Sequence, residues 1–557
     1  MSEHEFFLPV HDFSHLTDEE RSVVDHAAFQ RLGKIYQLGQ AYLIYRGATH
    51  KRLEHSLGVL HVAGQMVRSI NENHNRKRAR IAELKQQGRE PESLPDAWPL
   101  DDDLTPAEAA FIRLGALLHD IGHLPFGHTL EDEVGLISNK HDENHRLELI
   151  LNKTNWADGG SGQSLGSLID MKYAKYIEES GRLKASDILK RIISKKEDLD
   201  GGLLVGKQPL RINVYKEMVS DTICADLLDY IYRDWHHIGK PRRIDSRIFQ
   251  YMEIRRPPKV STEAAAKSAR FVISLGNRPR LKTDAITSIL TLLESRYELW
   301  ENVLFHRVKL GAAAMLERAV KEMQAGGINL NNLEEKLLDF SDEQVLRYFS
   351  DLVHDKDKAI INAQLPISSL LQRRIYKIVE ARSRDELAPE VAWQIERIYA
   401  DEKKGHERRL IVAHILERDF DLRPGSLAIY CTPSMRAKVP KVHIHINGFV
   451  ERFDKWEEET SDMLSGGHIR AQMRRFQRLW RIFFFLEESE YRRLETEDKL
   501  HWLREAIERL ALGQVPHGEY LQDVSRTMSR TLKLGRNDGD SNRYPTGAPS
   551  LSSWPSE

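Results

Sequence analysis

Apolar residues recur at helical spacing along most of this chain, so its 557 residues predict a mostly α-helical protein. Two segments carry their own start signals. Thr17-Asp-Glu-Glu20 and Thr105-Pro-Ala-Glu108 each fit a capping box, in which a threonine and a glutamate three residues on satisfy each other's free backbone N–H groups. Pro106 falls at the first helical position, where its missing N–H costs nothing. That second helix is expected to run from about 106 to the pair His119-Asp120, with the apolar stretch Leu114 to Leu118 buried, and to break before Pro125. Another apolar helix is expected to open around His50 to His55. Amphipathic helices should return from about 170 to 400, with Ser341-Asp-Glu-Gln344 as a further cap, and one long helix should span about 466–490. Strand signals concentrate at 426–450. Leu427 to Cys431 and Val442 to Ile446 alternate or run apolar, and Asn447-Gly448 then supplies a hairpin turn before Phe449-Val450.

Interruptions in this pattern suggest the domain plan. Residues 71–104 are charged, carry Pro91, Pro95 and Pro99, and read as a helix extension followed by an inserted surface loop. The stretch opening at Lys153 is a Gly/Ser-rich loop. Single cores rarely exceed about 250–300 residues, so two units are expected. These are a catalytic core over 1–320 and a C-terminal helical lobe over 321–534 holding the hairpin near 426–450. Beyond it the apolar pattern is lost, and 535–557 reads as a disordered tail.

Composition removes several function classes. The net charge of −2 gives no global basic field, so nucleic acid is not indicated as a partner, although short basic runs such as Arg76 to Arg80 exist. Cys224 and Cys431 are the only cysteines, which excludes a disulfide scaffold or a cysteine-rich zinc site and suits a reducing cytosol. The N-terminus lacks a charged region followed by an apolar one, and Ile482 to Leu486 is far too short to span a bilayer. A cytoplasmic, membrane-free protein is expected.

The candidate chemistry centres on His119-Asp120, which offers a metal one neutral nitrogen and one anionic oxygen from a single turn. His55 upstream and Asp226 downstream complete the order His … His-Asp … Asp. Two imidazoles and two carboxylates suit one divalent ion such as manganese, iron, zinc or magnesium, not a thiophilic metal. The positions left open would take water and a phosphate oxygen, and the ion would acidify that water and polarise phosphorus. His123 and His128 follow in a segment where Gly122, Pro125 and Gly127 fold the chain over the site. With the weaker candidate His141, they are candidate general acids or phosphate binders. Asp226, Tyr230 and Asp234 repeat every four residues and line one helical face suited to a sugar or base.

Together these residues resemble the HD superfamily of metal-dependent phosphohydrolases. Within it, they resemble the dNTP triphosphohydrolase branch that includes bacterial dGTPases and the vertebrate enzyme joining a sterile-alpha-motif domain to an HD domain. The resemblance is dense over about 25 to 310. It is carried by Phe29-Gln-Arg-Leu … Gln37-Leu38-Gly39, by Gly47 to Val59, by His119 to His128, by residues 226 to 237, and by Arg296-Tyr … His306-Arg307. It implies a helical HD core and four metal ligands, His55, His119, Asp120 and Asp226. It places Arg52 and Arg296 on the phosphates, Gln37, Leu38, Tyr230 and Asp234 near the sugar, and His123, His128 and His141 around the α-phosphate and leaving group. The implied reaction takes a dNTP to a deoxynucleoside and inorganic triphosphate, in a homo-oligomer. Departures stand at Leu227, where a lysine of the vertebrate enzyme is missing, and at Leu304-Phe305, so base preference is not inherited. Asp25 matches an activator-site aspartate, but Gly33 replaces that site's arginine, leaving a nucleotide activator open. Whether such activity serves dNTP housekeeping or starves a replicating phage is also open. Rival readings are an HD phosphohydrolase acting on a nucleoside monophosphate or an oligonucleotide, and a nucleotide-sensing or single-stranded nucleic-acid-binding scaffold.

Overall fold

In the computed structural model of the protein, residues 4–512 are described apart from short internal stretches, the longest being 89–96, 195–203, 258–267, 434–440 and 461–466. The tail at 535–557 lies outside the described residues. All three caps read from the sequence form as reciprocal boxes, at Thr17 with Glu20, Thr105 with Glu108 and Ser341 with Gln344. Each satisfies backbone donors that a helix start leaves free.

Three helices build the N-terminal half. Arg52–Gln86 packs against both Pro106–Leu118 and Ala225–His237. The first of these is 35 residues long, and its buried positions stop at His74, so its outer third is the extension expected from the charged stretch. Gly58 lets it approach the third helix: a Cβ there would collide with the Asp229 carboxylate and the Arg233 guanidinium. The end of the inserted stretch, however, is not a surface loop. Asp101 and Leu104 are buried, and the Asp101 N–H donates to the Ile254 carbonyl at 3.0 Å. Arg211 explains the burial, since it pairs with Asp101 at 3.2 Å and Glu108 at 2.7 Å and makes a polar segment affordable inside. The part at 89–96 lies outside the described residues.

The β-structure is more extensive than expected. His4–Leu8 and Asp12–Leu16 form an antiparallel hairpin before the first helix. Met252–Arg255 and Arg270–Asn277 are strands within the stretch read as helical. The hairpin turned by Asn447-Gly448 is present, with both residues at positive φ (52° and 83°) as such a turn requires. It joins the N-terminal half: His443–Ile446 pairs in parallel with Arg270–Asn277. Leu427–Cys431 is not its partner, but pairs with Arg481–Leu486, which also pairs with Lys377–Ser383.

The long helix expected at 466–490 is therefore corrected to helix His468–Gln477, strand Arg481–Leu486 and helix Glu488–Thr496. The continuous apolar run Ile482 to Leu486 is the middle strand of three and is buried throughout, so it shows no alternation. A boundary after residue 320 would cut the helix Arg307–Ala325. The second of two buried apolar clusters gathers residues between Val379 and Leu512, a stretch that also sends Ala428, Tyr430, Phe483 and Phe485 into the first.

Candidate functional site

The four expected metal ligands converge where the three helices meet. His55 comes from the first turns of Arg52–Gln86, His119 and Asp120 from the end of Pro106–Leu118, and Asp226 from the start of Ala225–His237. The Nε2 atoms of His55 and His119 lie 3.1 and 3.6 Å from Asp226 Oδ1. Asp120 faces both rings, with Oδ1 3.4 Å from His119 Nε2 and Oδ2 3.7 Å from His55 Nε2. His119 donates Nδ1–H to the Ala116 carbonyl at 2.8 Å, which leaves the lone pair of Nε2 facing the cluster, buried and without a hydrogen-bond partner. An orphaned buried nitrogen beside two carboxylates is a donor set that fits a divalent cation.

A third carboxylate orients this set from behind. Asp229, fully buried, accepts from His55 Nδ1 at 2.7 Å, from His11 Nε2 at 2.6 Å and from both ends of the Arg233 guanidinium at 2.8 Å. A carboxylate on the far nitrogen fixes a ligating imidazole's tautomer and direction. Burial works against a charged His55, but Asp226 and Asp229 overcome it and raise its pKa to about 10. Asp226 and Asp120 are held well below the usual carboxylate range against their burial, Asp226 by His119 and His55, and Asp120 by His119, His123 and Arg52.

His123, His128 and His141 form an adjoining imidazole group. His123 and His141 stack at 3.8 Å between centroids, and His128 stands edge-on to both, at 4.9 and 5.0 Å. Gly122 permits the stack, because a Cβ there would run into the His141 carbonyl. His141 Nδ1 is held by Glu131 at 3.1 Å, and Glu131 is paired with Arg146. His123 Nε2 lies 3.3 Å from Asp120 Oδ1, which joins the two groups. Burial, then Arg52 and His141, press the His123 pKa well below the ordinary histidine value, so this ring is neutral. His123 is buried and His128 is exposed at the rim.

The remaining expected residues divide. Arg52 donates Nη1 to Asp120 Oδ2 at 2.6 Å, and its buried Nε has no partner. Arg296 likewise has a buried Nε without a partner and lies over the Trp300 ring at 5.6 Å. The Gln37 backbone N–H donates to the His50 carbonyl at 3.0 Å, its side-chain Oε1 is buried and unpartnered, and Leu38 is buried beside it. Tyr230 is half-buried one turn after Asp226. Asp234 departs from the sugar-facing expectation: His50 donates Nε2 to it at 2.8 Å, in a pair with almost no exposure. His11, His50, Asp229 and Arg233 were not picked out from sequence. Asp229 had a signal, as a third acid on the Asp226 helix, but His11 reaches it from 218 residues away and had none.

Among the described residues, no helix is long and apolar enough to cross a membrane. Residues 52–193 match the family model of the HD domain. An uncharacterized protein of Methanocaldococcus jannaschii is 24% identical over 58% of this chain and 51% of its own length. The deoxynucleoside triphosphate triphosphohydrolase SAMHD1 homolog of Dictyostelium discoideum is 21% identical over 67% of this chain and 59% of its own. The chain thus spans about half the length of these curated relatives. A solved phosphohydrolase of Bacteroides thetaiotaomicron superposes with a TM-score of 0.54 at 18% identity, covering 87% of this chain and 100% of that one, a likeness of fold. The resemblance read from the motifs therefore holds at the level of the HD domain and its fold.

Proposed function

We propose that this chain is a metal-dependent phosphohydrolase that converts deoxynucleoside triphosphates to deoxynucleosides and inorganic triphosphate. The observation that carries the reading is the junction of two side-chain groups: His55, His119 and Asp226 with an orphaned His119 Nε2 and Asp120 beside them, and an imidazole group that touches them through Asp120. The name carried by the Dictyostelium relative supports the substrate class.

His55, His119, Asp120 and Asp226 would hold the cation, which when bound supplies Lewis-acid stabilisation of phosphate charge and a more acidic water. Asp229 keeps the His55 lone pair on the cluster. Arg52 holds Asp120 through one nitrogen and keeps Nε as a donor for a phosphate oxygen, and Arg296 Nε is a second such donor. His128, at the rim, and His141 are the candidate acids that would give a proton to the departing sugar oxygen, and His123, stacked on His141, holds that ring in place. Tyr230 limits space beside the sugar. A homo-oligomer, with a nucleotide activator bound at a second site, belongs to the same reading.

The test is product identification. Metal-loaded protein is incubated with each dNTP and rNTP, alone and in pairs, in heavy-oxygen water. The expected products are deoxynucleoside and intact triphosphate carrying the label. Stepwise release of orthophosphate would overturn the reading, and so would turnover of monophosphates or oligonucleotides alone.

A further inference from the structure

A buried carboxylate from the C-terminal half reaches two loops of the site. Asp342 opens the helix Asp342–Val353, directly after its Ser341 cap, and is 1% exposed. Its two oxygens go to two different loops. Oδ2 accepts the Tyr36 backbone N–H at 3.0 Å, and Oδ1 accepts the Phe126 backbone N–H at 2.6 Å. Tyr36 immediately precedes Gln37 and Leu38. Phe126 lies midway between His123 and His128.

The Phe126 loop needs such a partner. Phe126 and Gly127 are both left-handed, with φ of 63° and 54°, and a bulky residue adopts that conformation only when its surroundings impose it. The two loops also touch directly: a Cβ on Gly39, itself at φ 52°, would sit 3.3 Å from the Phe126 carbonyl. The same stretch of chain braces the other end of the imidazole group. Glu334 accepts from Arg146 Nε at 2.6 Å, Arg146 pairs with Glu131, and Glu131 holds His141 at 3.1 Å.

We propose that Asp342 is a positioning residue that sets the spacing between the Tyr36–Leu38 segment and the Phe126 turn, so that residues 333–343 of the C-terminal half brace the imidazole group against the metal-ligand group. An aspartate suits this place because it alone at this size offers two acceptor oxygens to two N–H donors. Its consequence for turnover rests on the phosphohydrolase reading, while its consequence for the loops does not.

The experiment compares the full-length protein with Asp342→Asn and with Asp342→Glu, which keeps the charge but displaces it by a methylene. Hydrogen exchange is followed on peptides covering 35–39 and 123–129. In Asp342→Asn both are expected to exchange about tenfold faster, while the helix around His55 is unchanged. Unchanged protection of both loops would overturn the proposal whatever the enzyme's substrate, and so would a loss spread evenly over the protein. For turnover, dNTP hydrolysis is compared with that of bis(4-nitrophenyl) phosphate, whose leaving group departs without a proton. Asp342→Asn should lose about 10- to 100-fold on dNTP and much less on the aryl ester, with metal content retained. Equal loss on both would refute positioning of the imidazole group. If the wild type turned over the aryl ester but no dNTP, the substrate reading would fail, and the exchange result would still decide the brace.

Discussion

His55 and His123 occupy neighbouring buried positions and have opposite electrostatics. Burial alone disfavours the charged ring in both. At His55 two carboxylates outweigh it and raise the pKa to about 10, whereas at His123 the Arg52 cation and the His141 ring add to it and press the pKa down. Exposure therefore does not separate these two rings; their partners do. The first group collects negative charge and calls for a positive one, met by protons or by a divalent ion. In the second, Arg52 and burial disfavour a charge on His123, and the ring stacks on His141.

The severest way to break this contrast is to remove a ligand. Asp120→Ala should lose the bound metal and lower turnover by about 10³-fold or more while remaining folded. Elemental analysis with an initial-rate assay checks it, and a metal-replete, active variant would refute the assignment of the first group. Next in size is the carboxylate behind His55. Asp229→Asn should weaken metal affinity by about 10- to 100-fold, read by chelator competition. Unchanged affinity would mean that the His11–Asp229–His55 contacts serve packing alone. Tyr230 lies outside both groups and sharpens their limits. Tyr230→Ala should shift the dNTP-to-rNTP ratio toward ribonucleotides by about tenfold and leave metal content alone. An unchanged ratio would place sugar exclusion elsewhere.

The smallest effect is on stability against pH in metal-free protein. His123 has a depressed folded pKa, so its contribution is present above about pH 6.5 and is lost as pH falls. His55 has a raised one, so its contribution is present below about pH 6.5 and is lost as pH rises through about 10. Between pH 7.5 and 5.5 the wild type should lose more stability than His123→Asn in urea titrations. Between pH 7.5 and 9.5, His55→Asn should lose less than the wild type. Matching slopes in wild type and variants would erase the contrast between the rings.

Several features were legible because they are local. Capping boxes close over three residues, the Asn447-Gly448 turn needs two residues that tolerate positive φ, and the His119-Asp120 pair sits on one helical turn. The order of His55, His119, Asp120 and Asp226 added a resemblance that the HD-domain match bears out. The helix expected across 466–490 failed for a physical reason. A run apolar at every position suits a buried helix or a central strand equally, and only the flanking strands at Lys377–Ser383 and Leu427–Cys431 decide which forms.

By itself, then, the sequence determined where helices start, which residues of each could bind a metal, and that the chain resembles HD phosphohydrolases. The tertiary structure decided which carboxylates are free to face the site. It tied Asp234 to His50 and set Asp229 behind His55. It also brought Asp342 across 216 residues to the Phe126 backbone. The reason is that a hydrogen bond between distant segments leaves no periodic trace in either one. Its donor and acceptor are ordinary residues until packing brings them within 3 Å and removes the water that would otherwise satisfy them.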